Sequence, residues 1–219
     1  MSASISKLTP TSLSALLCAR ICHDLISPVG ALGTAIEILD DPSNTDMHED
    51  AMSLVRTSSR QAAAKLKFLR LAFGAGGSAP GVIAASEIID LSNAMYADAK
   101  PDLVWDLATD GVEKDRTRIL LNLVMLAVQA APRGGTVTIT RRGTPEAAEF
   151  KLVSEGPKVR LDAAVDRALS GKAPEDGFDG RSIQPFYTSM LTREANGTVE
   201  ASADETKVTF AARFTAPAA

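Results

Sequence analysis

The stretch Arg20-Ile21-Cys22-His23-Asp24-Leu25-Ile26-Ser27-Pro28-Val29-Gly30-Ala31-Leu32 lies inside a long segment of helical periodicity, and the first element of the architecture follows from it. Leu25, Val29, Leu32, Ile36 and Leu39 recur at spacings of four and three, the pattern of a buried stripe on a helix. Cys18 and Ile21 or Cys22 continue the stripe upstream. At about 100° per residue, His23 falls about 200° round the helix from Leu25 and points away from the core. His23, Ser27, Gly30 and Thr34 form a second stripe of small or polar residues. An imidazole facing solvent on a rigid helix is a nucleophile, and small neighbours leave room for another protein to approach it.

Upstream, Thr11 or Ser12 offers an N-cap, and downstream Asp40-Asp41-Pro42-Ser43-Asn44 ends the helix in a turn. A second helix is expected over 46–73, with Met47, Ala51, Leu54, Ser58, Ala62, Leu66, Leu69 and Phe73 as its inner stripe. A short connection between two long helices makes an antiparallel hairpin. One hairpin leaves an apolar face open, and a two-fold dimer closing a four-helix bundle buries it.

The Gly-rich segment 74–81 reads as a linker, dividing a helical unit over 1–74 from a second unit over 82–219. The second unit alternates. Helices are expected over 86–99, 115–131 (with Asp115 as N-cap), 161–170 and 181–195. Strands are expected over 101–107, 136–142, 149–154, 198–202 and 207–214. This order implies an α+β chain whose second unit is a mixed sheet with helices on one face.

Composition narrows the function classes. A net charge of −4 gives no bulk field for nucleic acid or an anionic membrane. With no run of about 20 apolar residues a membrane span is not expected, and Arg20, His23 and Asp24 interrupt the one segment that resembles a leader. Two cysteines in one helical stretch fit a reducing cytoplasm rather than a disulfide framework, and read as small core fillers. A metal site at Cys18, Cys22 and His23 is disfavoured, since His23 is turned away and no fourth ligand is visible. His48, among acidic residues, reads as surface.

The box Arg20-x-x-His23-Asp24-x-x-Ser27-Pro28 resembles the phosphoacceptor box of dimerising sensor histidine kinases. The segment from Arg118 through Asn122 and Gln129 to Ile139, with its Pro-x-Gly-Gly-Thr-Val turn, resembles the helix and strand of a histidine-kinase ATP-binding domain. The departures matter. Leu126 stands where those kinases carry a second, magnesium-holding Asn. Ser154 stands where a carboxylate reads adenine, with Lys158 in place of a glycine after it. The lid counterpart near Gly180-Arg181-Ser182-Ile183-Gln184-Pro185 keeps one Gly. An acceptor His beside a decayed nucleotide site resembles the ChpT-type bacterial histidine phosphotransferases.

That resemblance implies a homodimeric four-helix bundle followed by a degenerate ATPase-like α/β sandwich. It implies a cytoplasmic phosphotransferase that shuttles a phosphoryl group between receiver-domain aspartates through His23, with no ATP, no resident cofactor and no metal of its own. Magnesium would come from the receiver. The partners implied are the receiver domains of a hybrid histidine kinase and of response regulators. Arg20 would hold phosphoryl oxygens and Asp24 would orient the ring or meet a partner. Ser27, Gly30 and Thr34, with Lys158 and Arg160 across from them, would receive the partner. The rival readings are an ATP-dependent kinase with a divergent pocket, and a non-catalytic scaffold or kinase inhibitor.

Overall fold

The computed structural model describes residues 8–74, 80–144, 147–175 and 177–215. The chain begins with two long helices, α1 (Pro10–Asp40) and α2 (His48–Ala72), packed against each other along their length. α1 starts slightly earlier than its predicted caps. Pro10 has no N–H to leave unpaired in the first turn, and Thr9 Oγ1 accepts from Ser12 N at 3.1 Å. A 3₁₀ turn over Pro42–Met47 takes the first residues of the predicted second helix. Asp41 opens that turn by accepting from Ser43 N at 2.9 Å.

The second unit runs β1 (Val82–Ala84), α3 (Ala85–Met95), β2 (Pro101–Leu107), β3 (Gly111–Glu113), α4 (Lys114–Ala130), β4 (Gly135–Arg142), β5 (Glu149–Glu155), α5 (Ala163–Leu169), α6 (Ile183–Glu194), β6 (Gly197–Ala203) and β7 (Lys207–Phe214). The main sheet has the order β2-β4-β5-β7-β6. β2 and β4 pair parallel and the other neighbours antiparallel, a mixed sheet as expected. The antiparallel ribbon β1-β3 escapes sequence reading because three-residue strands carry no usable period. Glu113, not Asp115, is the residue before α4; Asp115 sits in the first turn instead, 3.7 Å from Arg118. Residues 75–79, most of the predicted linker, lie outside the described residues.

α4 is buried nearly all round from Ile119 to Ala127, so it is a central helix rather than an amphipathic cover. One side meets the inner face of the sheet, where Val137, Ile139, Phe150, Leu152 and Phe210 are buried. Another side meets the C-terminal end of α2, whose Phe68, Leu69 and Ala72 belong to the same core. The hairpin is therefore rooted in the second unit through the end of α2, and α1 adds contacts of its own to α6.

Two predicted stripes need correction. Val29 and Ile36 of α1, Met47 at the end of the 3₁₀ turn, and Leu54 and Leu66 of α2 are exposed in the single chain, as are Ile26 and Met52. Pro28 and Ala35 of α1 are buried, as are Ala51 and Ser58 of α2. Each apolar stripe spans two faces, and a lone hairpin covers only the one that meets the other helix. α1 is also long and apolar enough to cross a membrane by length and composition, which the sequence reading did not allow for. It nonetheless carries the Arg20–Asp24 ion pair and packs on α2.

Candidate functional site

Pro28 is the local cause of much of the site's geometry. A proline within a helix gives no N–H to the carbonyl four residues earlier, here Asp24. That carbonyl is not left orphaned: Lys65 Nζ of α2 donates to it at 3.1 Å. The backbone beside His23 is thus tied to the second helix by a charge-assisted bond. Sequence reasoning missed Lys65. The signal was available, because a proline inside a helix that packs on another helix calls for a donor from that neighbour.

Asp24 is the hub. Its Oδ2 takes the Arg20 Nε hydrogen at 3.1 Å, and its Oδ1 lies 3.4 Å from His23 Nδ1. The side chains of Arg20 and Asp24 are largely buried, whereas that of His23 is 80% exposed. Tyr96 lies close by; burial, with the Asp24 carboxylate adding to it, pushes its phenol upward and keeps it neutral. Arg20 also donates through Nη1 to the carbonyl of Gly180 at 3.3 Å. Its guanidinium is therefore committed on two sides, holding Asp24 on its own helix and the loop before α6.

Ser27, Gly30 and Thr34 continue from His23 as an open strip, all exposed. A Cβ built at Gly30 or Gly33 would meet nothing within 4 Å. Glycine inside a helix costs about 1 kcal/mol relative to alanine. Neither packing nor backbone conformation requires it here, so the gap itself is the feature.

Across from α1, a cleft of about 690 Å³ opens beside His23. Arg20 and His23 form one wall, Leu126 and Gln129 of α4 the floor, and Arg160, Gly180 and Arg181 the far side. Asp179 shapes that far side: its Oδ1 accepts from Ser182 Oγ, Ser182 N and Arg181 N at 2.7, 2.8 and 3.0 Å. The Ser182 hydroxyl bond foremost, opposed by partial burial, leaves its carboxyl below the usual range. Of the predicted docking cations, the cleft includes Arg160. Lys158 is exposed on the same loop, at φ +60°, and is not among the lining residues. Arg181 and Gln129 were not singled out from sequence.

The positions that would serve a nucleotide are otherwise engaged. Asn122 is fully buried; its Nδ2 donates to the carbonyls of Ala72 and Arg118, each at 2.8 Å. Its Oδ1 accepts from Gln184 Nε2 at 2.8 Å. Ser154 is buried and donates to the Ala127 carbonyl at 2.8 Å. Leu126 presents only carbon to the cleft. A magnesium nucleotide needs free oxygen ligands and an acceptor for the adenine amino group, and these residues do not fit it.

Cys18 and Cys22 are exposed, not core fillers, because they fall on the uncovered side of α1 with Val29 and Ile36. His48 is partly buried rather than surface, and its Nε2 has no hydrogen-bond partner among the described residues.

A family model described as the histidine phosphotransferase C-terminal domain matches residues 85–207. The protein phosphotransferase ChpT of Brucella abortus (strain 2308) is 36% identical over 205 residues, covering 94% of this chain and 97% of that one. A bacterial phosphotransferase whose structure is solved at 1.7 Å matches with a TM-score of 0.84 and 34% identity, over 95% of this chain and 98% of its own.

Proposed function

The chain belongs to the histidine phosphotransferase family, and from that premise we propose that His23 carries a phosphoryl group between receiver-domain aspartates. The observation that carries this is one exposed imidazole, held by a buried carboxylate, at the mouth of a cleft that does not fit a nucleotide. Asp24 favours a hydrogen on Nδ1, which leaves the Nε2 lone pair free. Nε2 attacks the phosphorus of an aspartyl phosphate in line; the N–P bond forms as the acyl P–O bond breaks, and the receiver carboxylate leaves. A second receiver carboxylate reverses these steps and regenerates the imidazole. Rate comes from positioning and charge, and the divalent ion that such a transfer uses belongs to the receiver. No step uses ATP.

Arg20 keeps Asp24 in place, while Ser27, Gly30 and Thr34 let the receiver close on His23. Lys158 and Arg160 face an acidic receiver surface, with Arg160 on the cleft itself. The partners are the receivers of a hybrid histidine kinase and of response regulators, in the cytoplasm.

The chain acts as a homodimer, with residues 1–74 as the dimerising and acceptor unit and 82–219 as the docking wall. Seven large apolar side chains on the hairpin support this: Ile26, Val29, Ile36, Met47, Met52, Leu54 and Leu66. Fully burying a side chain of this kind stabilises by about 1.5–3 kcal/mol, so together they favour a bundle partner.

The test mixes the protein with the receiver domain of a hybrid histidine kinase from the same genome, loaded with radiolabelled phosphate. Label should move to the wild type in an acid-labile, base-stable form, and not to His23→Ala. A chain that takes no label from any receiver, while still altering a kinase's output, is a scaffold and the proposal is wrong. Label taken from ATP by the chain alone would instead make it a kinase.

A further inference from the structure

We infer that Asn122, Gln184 and Tyr187 form a clasp that sets the width of the cleft, acting as positioning residues for phosphotransfer. The inference rests on the phosphotransferase reading above and concerns residues that touch neither His23 nor a partner.

The clasp is built from polar groups with few alternatives. Asn122 binds the carbonyl of Ala72, the last residue of α2. Gln184, 1% exposed, donates to both the backbone oxygen and Oδ1 of Asn122, at 3.0 and 2.8 Å. One helical turn on, Tyr187 donates its hydroxyl hydrogen to the Phe73 carbonyl at 3.4 Å and accepts from Arg118. Its ring stacks on Phe73 at 5.7 Å between centroids. Thus α6 is fixed to the end of the hairpin and to α4 at once.

α6 also carries the Gly180–Arg181 part of the cleft wall. Gln184 is four residues after Gly180, whose carbonyl receives Arg20. Ile183 and Phe186 of the same helix pack with Leu13, Leu16 and Leu17 of α1. Apolar contacts of this kind tolerate sliding, because dispersion has little directionality. Hydrogen bonds do not, and a buried amide pair specifies a single register. The path from Ala72 through Asn122 and Gln184 to Gly180 and Arg20 therefore fixes how far Gly180 and Arg181 stand from His23.

The test compares three proteins as full-length chains: wild type, Tyr187→Phe, and the double variant Asn122→Leu with Gln184→Met. The double variant replaces both amides by apolar groups of similar size, which keeps the core filled while removing direction. Tyr187→Phe keeps the ring stack and removes only the hydroxyl. Two reactions are followed: labelling of His23 by the small donor phosphoramidate, which needs no docking, and transfer from the phosphorylated receiver that labels the wild type. Phosphoramidate labelling should be unchanged in both variants. For the receiver, KM should rise about tenfold in the double variant and less in Tyr187→Phe, with kcat within about twofold. A receiver KM equal to wild type in a folded double variant overturns the clasp. If wild type takes no label from any receiver, it is the phosphotransferase reading that fails.

Discussion

His23 and Asn122 have opposite surroundings. The imidazole is 80% exposed, with one carboxylate beside it and open space in front. The amide is fully buried, and both ends of it are engaged by other polar groups. Each resembles a functional residue of a kinase, yet only one is free to meet a substrate. A polar side chain does chemistry when some of its bonding capacity is left over. When every donor and acceptor is consumed inside the protein, the same residue type becomes structure.

The contrast can be broken most sharply at its two poles. His23→Ala should abolish receiver transfer, by about a thousandfold or more, yet shift stability by no more than about 0.5 kcal/mol because nothing packs on the ring. Transfer assays paired with urea melts check both halves. Asn122→Leu alone should instead destabilise the fold, by about 1–3 kcal/mol, because the buried Ala72 carbonyl loses its donor and Gln184 loses one of its acceptors. A midpoint in denaturant close to wild type would mean that the amide is not the structural element described.

Between the poles, Lys65→Met should cost about 1–2 kcal/mol, since it leaves the Asp24 carbonyl without its donor. The same melts measure it. Gly30→Ala should stabilise by about 0.5–1 kcal/mol, with no neighbour for the new methyl to meet. If the strip is a docking surface, receiver transfer slows in that variant while its melting temperature rises. Faster transfer, or no change, would show that the receiver does not use the gap.

The smallest effect is one of pH. The Asp179 carboxyl is held below its ordinary value, so its contribution is complete above the unfolded carboxylate range, about pH 4. It is lost as pH falls through the lowered folded value. Thermal melts of wild type and Asp179→Asn should differ most at about pH 6 and converge as pH falls through the lowered carboxyl range.

The hairpin, the mixed sheet and the exposure of His23 were legible because they rest on periodicity, and periodicity is a local property of the chain. β2 and β7 match their expected limits for the same reason. The stripes misled at Val29, Ile36, Leu54 and Leu66, because a period says that a face is apolar and not what covers it. The Lys65 bond was signalled only in part, by the proline that leaves the Asp24 carbonyl in want of a donor. The clasp was not legible at all. It joins residues far apart in the chain through single hydrogen bonds, and no pattern along the sequence marks such a set. The cleft was half legible: Arg160 was found through its loop, and Arg181 was overlooked because its role depends on where α6 places that loop.

The pairing of Pro28 with Lys65 bears on grafting. Anyone moving the Arg20–Pro28 box onto a foreign coiled scaffold would import a backbone oxygen with no hydrogen to satisfy it. The graft needs its cationic companion at the matching height on the adjoining rod, so the minimal portable cassette spans both helices.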